Sequence, residues 1–142
     1  MIQSQVIDFI NASKTKGRRE AFGFSGDNLK MYLTWAFSFD YLFLVFNNNE
    51  IVGVGVAYPL KMPFNGEKFT LFVFNDIVPK EDEHKHELCI MDLVTTTEEA
   101  RTTIIQNFKK RYPNWENQKK WMIRSDDAKE LKNKHLNLLN KI

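Results

Sequence analysis

The sequence predicts a mixed α/β protein in which two helices precede an antiparallel meander and a final β-α-β-α segment. A length of 142 residues with 43% hydrophobic residues fits a single globular domain over 1–142. In the middle of the chain, runs of β-branched and aromatic residues are separated by turn residues. Before and after these runs, apolar residues recur at helical spacing. These three observations together indicate helices packed against one mixed sheet.

Two helices are expected at the start of the chain. Apolar residues at helical spacing, beginning with Ile2 and Val6, predict a first helix that runs to about Ser13. A second helix is expected from Asp27, and apolar residues cover nearly its whole circumference, which is typical of a buried helix.

The range 14–25 between these helices is predicted to be a loop that interleaves basic and aromatic residues. The residues concerned are Lys14, Lys16, Arg18, Arg19, Phe22 and Phe24. Such a loop can contact nucleic acid or an acidic protein surface. The alternative is an exposed linker whose charges are simply solvated.

Four strands are expected next, over 41–46, 51–58, 69–77 and 88–94. The asparagines between the first two strands predict a tight turn. The ranges 59–68 and 79–87 are expected to be loops. Gly53 and Gly55, inside the second strand, indicate a bulge or the close approach of another chain or a ligand.

The end of the chain predicts a crossover unit. Thr95 with Glu98, or Thr96 with Glu99, has the spacing of a capping box at a helix start. This helix should end at Pro113, and a short strand is expected over 120–124. A strand, a helix and a second strand in this order predict that the strands over 88–94 and 120–124 run parallel. A last helix is expected from Ser125, with an apolar stripe of Ala128, Leu131, His135, Leu138, Leu139 and Ile142.

Three stretches together resemble the GNAT acyltransferase fold. They are the hairpin over 41–58, the sequence Cys-Ile-Met-Asp-Leu-Val over 89–94, and Phe-Lys-Lys-Arg-Tyr-Pro over 108–113 followed by Trp-Met-Ile-Arg over 121–124. Within that fold the likeness is to the toxin-activating acyltransferase branch and to small phage-encoded proteins built the same way.

The resemblance implies transfer of an acyl group from the thioester of coenzyme A or of an acyl carrier protein to a protein amine or hydroxyl. Asp92 matches the aspartate of the cofactor-side strand, and it or His86 would be the base. The threonines of the following turn would contact the oxyanion or the phosphates, and the cofactor-binding set is Thr95, Thr96, Thr97 and Arg101.

Two features of the sequence depart from that family and leave alternatives open. The turn after Asp92 holds three threonines and no glycine, and no histidine precedes His84, although the branch pairs an N-terminal histidine with its aspartate. The alternative function is therefore a non-enzymatic virion or host-interaction protein of phage type, which uses the fold as a scaffold and can associate with itself or with a protein partner. For Asp92 itself, the alternative is a carboxylate paired with an arginine or with backbone amides.

Charge and composition limit the remaining possibilities. The range 109–142 holds ten Lys or Arg against four Asp or Glu, so nucleic acid is a possible partner of this basic third. His84 and His86 could join carboxylates around a metal, but a solvated charged loop explains the same residues, and no metal is expected. Cys89 is the single cysteine, which excludes an internal disulfide framework. No secretory signal or membrane span is expected, which predicts a cytoplasmic protein, in the host cytoplasm or the virion if phage-encoded.

Overall fold

The architecture is a five-stranded mixed sheet with helices on both faces. The computed structural model describes residues 4–13, 19, 23–67, 77–124 and 127–132. The strands are β1 (Leu42–Asn47), β2 (Glu50–Pro59), β3 (Leu88–Thr95), β4 (Lys120–Arg124) and β5 (Asp127–Leu131), and they lie in the sheet in chain order. The β3 and β4 strands are parallel and every other neighbouring pair is antiparallel. The predicted parallel crossover is therefore confirmed.

Three α-helices cover the sheet: α1 (Ser4–Asn11), α2 (Gly26–Ser38) and α3 (Glu98–Arg111). Side chains of α1 and α2 share one buried cluster with residues of β2 and β3, while α3 shares a second cluster with Leu88 and Ile90. Two short 3-10 helices are also present: Lys80–Lys85 lies within the range 79–87 predicted as a loop, and Trp115–Asn117 lies between α3 and β4. The part of the chain just defined contains no helix with the length and apolar character that crossing a membrane requires.

The β1–β2 hairpin forms where the asparagines predict it. Asn48 and Asn49 both have positive φ, 51° and 69°, which is the left-handed backbone that a two-residue hairpin turn requires. Asparagine tolerates this conformation better than most residues because its short side chain bonds locally. The register of the pair runs from Leu42 opposite Val56 to Asn47 opposite Glu50.

The two glycines of β2 are explained by the close approach of α3. A Cβ atom added at Gly53 would lie 2.9 Å from Ile104 Cδ1, and one added at Gly55 would lie 2.8 Å from Ile104 Cγ2. Both distances are too short for real carbon contacts, so α3 can pack this closely only against glycine. The sequence predicted a bulge or the close approach of another chain or a ligand, whereas the element that approaches these two glycines is a helix of the same chain.

The last predicted helix is wrong over its described part, because Asp127–Leu131 is the edge strand β5. Ala128 packs against the cluster under α1 and α2, whereas Leu131 belongs to the cluster under α3. A spacing of three residues places two side chains on one face of a helix but on opposite faces of a strand, and here each face has its own core. The rest of that stripe, including His135, lies outside the described residues.

Two further sequence predictions have a different outcome. The strand predicted over 69–77 lies outside the described residues except for Ile77, which is not in a strand, and β2 pairs directly with β3. The start of α3 is capped by Thr97 and not by Thr95 or Thr96, since the Thr97 hydroxyl accepts from Ala100 N at 3.0 Å. The capping-box prediction placed the N-cap one or two residues too early.

Candidate functional site

The parallel strands β3 and β4 separate shortly after they begin to pair. Their register covers only Leu88 opposite Lys120 to Ile90 opposite Met122. Beyond that point β3 continues beside β2 through an irregularity in which Ala57 opposes Ile90 and Val56 opposes Asp92. The extra residue, Met91, makes a β-bulge, and such bulges turn a strand away from its partner. Asp92 therefore lies where the two parallel strands diverge.

The carboxylate of Asp92 is buried in a polar cluster on the α1 and α2 face of the sheet. Arg19 Nη1 lies 2.7 Å from Asp92 Oδ1, and the Tyr32 hydroxyl donates to Asp92 Oδ2 at 2.7 Å. Both members of the ion pair are almost fully buried, with 1% of Asp92 and 2% of Arg19 exposed. Arg19 Nη2 also donates to Ile10 O and to Ser13 Oγ, each at 2.7 Å.

These contacts give Asp92 a structural role in the described structure. Each carboxylate oxygen accepts a hydrogen bond, and a guanidinium balances its charge, so the alternative of an arginine-paired carboxylate is confirmed. Burial and the charge of Asp92 raise the pKa of Tyr32 well above its usual value, so this hydroxyl stays protonated and donates. Burial likewise raises the pKa of the Cys89 thiol to about 12, which leaves it unreactive near neutral pH.

The sequence did not identify Arg19 as the partner of Asp92. It was expected on a solvated or nucleic-acid-binding loop, whereas its side chain reaches the carboxylate in the core. Phe24 of the same range is also buried, and its ring stacks on Tyr32 with centroids 4.2 Å apart. The other basic residues of that loop, from Lys14 to Arg18, lie outside the described residues.

The structure does not bring His86 and Asp92 together. His86 precedes β3, and its Nδ1 lies 2.8 Å from Leu60 O. Asp92 is six residues further along a nearly extended chain, roughly 20 Å away at about 3.3 Å per residue. His84 is exposed, and nowhere in the described ranges do three or more His, Cys, Asp or Glu residues form a group that could hold a metal ion.

A cleft of about 620 Å³ opens beyond Asp92, between the end of α1 and the start of α3. Its wall combines apolar residues with hydroxyls and one guanidinium: Phe9, Ala12, Ser13, Leu93, Val94, Thr95, Thr96 and Arg101. We call it the α1–α3 cleft. Three of the four predicted cofactor-binding residues, Thr95, Thr96 and Arg101, line it together. The contributions of Phe9, Ala12 and Ser13 were missed, since nothing in the local sequence indicates which helix end meets this strand.

Two backbone donors at or near the start of α3 are already used within the protein. Thr96 N donates to Val52 O at 2.9 Å, and Arg101 N donates to Thr97 O at 3.2 Å. Thr97 caps the helix and is not part of the cleft wall. By contrast, Arg101 Nε is buried and has no hydrogen-bond acceptor among the residues that the structure describes. Arg101 is also the charged side chain among the described residues of this wall, so its guanidinium is the group there best suited to bind an anion or a carbonyl oxygen.

The basic third of the chain is partly committed to internal contacts. Arg111 forms a bidentate pair with the buried Glu83, with nitrogen–oxygen distances of 2.5 Å and 3.0 Å. Lys120 is 1% exposed, and its ammonium donates to the carbonyls of Trp115 and Gln118. The cations beyond Lys132 lie outside the described residues, so the predicted nucleic-acid contact of this segment stays a prediction.

Comparison of the chain with known protein families, with curated proteins and with solved structures found no match.

Proposed function

We propose that this chain is a GNAT-like, acyltransferase-like protein that binds an acyl thioester of coenzyme A or of an acyl carrier protein in the α1–α3 cleft. One observation carries the proposal: the cleft lies beside the point where β3 and β4 diverge, and the positively charged Arg101 forms part of its wall. The acceptor of the acyl group would be an amine or hydroxyl of a partner protein.

The composition of the wall fits a ligand with one apolar and one polar end. Phe9, Leu93 and Val94 offer apolar surface for an acyl or pantetheine chain. Arg101 offers a charge-assisted hydrogen bond to a phosphate or to the thioester carbonyl. Ser13 also lines this wall, and its hydroxyl donates to Ile10 O at 2.7 Å.

The described wall supports binding more directly than proton transfer. The described residues that line the α1–α3 cleft include no Asp, Glu or His. In the proposed reaction the nitrogen of an amine acceptor forms a bond to the acyl carbon, the carbon–sulfur bond breaks, and the proton that the nitrogen loses passes to the departing thiolate. An amine acceptor would have to reach the cleft as the free base, because Asp92 is held by Arg19 and Tyr32.

Calorimetry with coenzyme A, acetyl-CoA and a longer acyl-CoA tests the proposal. We expect saturable binding, and we expect Arg101→Met to weaken it by about tenfold or more, the effect of losing one charge-assisted hydrogen bond. Lys110→Met is the matched control, because it removes one positive charge from the exposed surface near the other end of α3. Absence of heat at high micromolar ligand, or equal weakening by both variants, would overturn the proposal.

A second candidate function is that of a non-enzymatic interaction scaffold with the same fold. The buried pair of Asp92 with Arg19 favours it, because it removes the expected base from chemistry. Phe37 and Phe46 also favour it, since both are large apolar side chains that are more than half exposed, at 55% and 51%. Analytical ultracentrifugation over a wide concentration range tests self-association. A strict monomer whose sedimentation Phe37→Ser and Phe46→Ser leave unchanged would contradict this candidate.

A further inference from the structure

The strand β1 lies at one edge of the sheet and presents a row of backbone groups there. It pairs with β2 on one side, and no strand among the described residues pairs with its other side. Tyr41 O accepts from Ala57 N at 3.1 Å, so the backbone of Tyr41 faces β2. Because the backbone groups of an antiparallel strand alternate between its two sides, those of Leu42, Leu44 and Phe46 face outward.

The irregularity in the β1–β2 pair does not change which groups face outward. The register passes from Val45 opposite Gly53 to Phe46 opposite Ile51. The extra residue is Val52, which belongs to β2. Because a bulge disturbs the strand that carries the extra residue, β1 is the regular strand of this pair and its alternation continues to Phe46.

The side chains of β1 lie at the margin of both cores. Leu42 and Leu44 pack against the cluster under α1 and α2, while Phe43 and Val45 pack against the cluster under α3. These four side chains remain partly exposed, and Phe46 is 51% exposed. A strand added at this edge would therefore cover apolar surface on both faces of the sheet.

The two edge strands of the described sheet differ in charge. Proteins commonly protect an edge strand from pairing with charged residues, prolines or bulges. At one edge, β5 carries Lys129 and Glu130 within its five residues. At the other edge, β1 reads Leu-Phe-Leu-Val-Phe-Asn, which contains no charge and no proline. The sequence protects β5 in this way and leaves β1 open to another strand.

The outward edge of β1 is complementary to a second copy of itself. In an antiparallel pair with Leu44 opposite Leu44, Leu42 of each copy lies opposite Phe46 of the other. Each of these pairs exchanges both of its hydrogen bonds, so every outward N–H and C=O of the two strands finds a partner. Two-fold symmetry would bring like charges together in a charged strand, whereas here it brings leucine against leucine.

We propose that two copies of this chain associate through their β1 strands, about a two-fold axis at Leu44, so that their sheets join into one. Phe46 of each copy packs beside Leu42 of the other, and on the opposite face Phe43 lies opposite Val45 of the other copy. The proposal names the partner of the interaction scaffold put forward above and rests on that candidate. It is independent of thioester binding, because β1 contributes no residue to the described wall of the α1–α3 cleft.

Sedimentation and backbone amide exchange of the full chain test the proposal. One pair of strands makes a small interface, so we expect a monomer–dimer equilibrium with a dissociation constant of about 1–100 μM. Where the dimer forms, the amides of Leu42, Leu44 and Phe46 should exchange severalfold more slowly than in the dilute chain. The amides of Phe43 and Val45 are the internal control, because they face β2 and should be equally protected at both concentrations.

A pair of lysine variants provides the protein control. Phe46→Lys and Met62→Lys each replace an exposed apolar side chain with a lysine, since Phe46 is 51% and Met62 is 70% exposed. Phe46→Lys places a charge beside Leu42 of the second copy and should weaken the dimer by at least about tenfold. Met62 lies in the loop that follows β2, so its replacement should leave the dissociation constant unchanged.

Four results would overturn the proposal. A chain that stays monomeric up to about 1 mM has no such interface, and equal weakening by both lysine variants would place the contact elsewhere. Protection of the three outward amides in the dilute monomer would show that another part of the same chain covers β1. A dimer in which these amides exchange freely would show that association uses another surface, in which case the scaffold function stands and the role of β1 falls.

Discussion

Replacing Asp92 with asparagine removes the negative charge that Arg19 contacts at 2.7 Å in the core. Breaking a buried ion pair by removing one partner costs about 3–5 kcal/mol, because the remaining charge stays desolvated. Asparagine keeps an oxygen that can accept from Tyr32, so we expect the lower end of that range, a loss of about 3 kcal/mol. The measurement is urea unfolding at neutral pH, followed by the fluorescence of the three tryptophans.

A double-mutant cycle isolates the pair. Arg19→Met should cost about as much as Asp92→Asn, since it leaves the carboxylate buried without its guanidinium. The double variant should lose at least about 1 kcal/mol less than the sum of the single losses, because it leaves neither charge buried. Tyr32→Phe removes one donor to the same carboxylate and should cost only about 1–2 kcal/mol. A loss below about 1 kcal/mol for Asp92→Asn, or strict additivity in the cycle, would refute the structural role assigned to this pair.

Three further predictions concern the helix contacts and the buried lysine. Gly53→Ala should lower the unfolding free energy by about 1–3 kcal/mol, because the added Cβ would lie 2.9 Å from Ile104 Cδ1. Valine lacks that atom, so the same change should cost less in an Ile104→Val background. Equal losses in the two backgrounds would contradict the packing. Thr97→Ala should lower the unfolding free energy by about 1 kcal/mol in the same assay, because the helix loses its N-cap. Thr96→Ala should lower it little. The reverse order would show that Thr96 is the N-cap. Burial lowers the pKa of Lys120 from 10.5 to about 8, so between these two pH values the unfolded chain binds more protons and this group makes stability rise with pH. The measurement is the difference in unfolding free energy between the unmodified chain and Lys120→Met. From pH 8 to 10.5 this difference should increase by at most about 3 kcal/mol. A difference that stays flat or falls would show that folding does not disfavour the charged form of Lys120.

The basic side of the pH profile should also carry an opposite contribution from the core thiol. The folded pKa of Cys89 is raised to about 12 from 9.0, so the folded chain holds its proton where the unfolded chain releases it. This group therefore makes stability fall as the pH rises above 9.0. The comparison with Lys120→Met separates the two effects, because Cys89 is present in both chains.

Part of the candidate site could be predicted from the sequence, and part could not. A lone carboxylate within the apolar run from Cys89 to Val94 made Asp92 conspicuous, and the turn after it indicated a site at the start of α3. The partner of Asp92 was not predictable, because Arg19 lies far away in the sequence among basic residues that resemble a solvated loop.

The sequence by itself determined the elements whose signals are local. Asn48 and Asn49 specify the β1–β2 turn through their own backbone preferences, and the order of strand, helix and strand from Leu88 to Arg124 requires a parallel pair. The tertiary structure decided what local signals leave open. The spacing of three residues between Ala128 and Leu131 indicates one face of a helix, but it also fits a strand whose two faces each meet a separate core, as they do here. Burial, the pairing of charges and the cleft lined by the end of α1 and the start of α3 depend on residues distant in the chain, and no short stretch of sequence contains them.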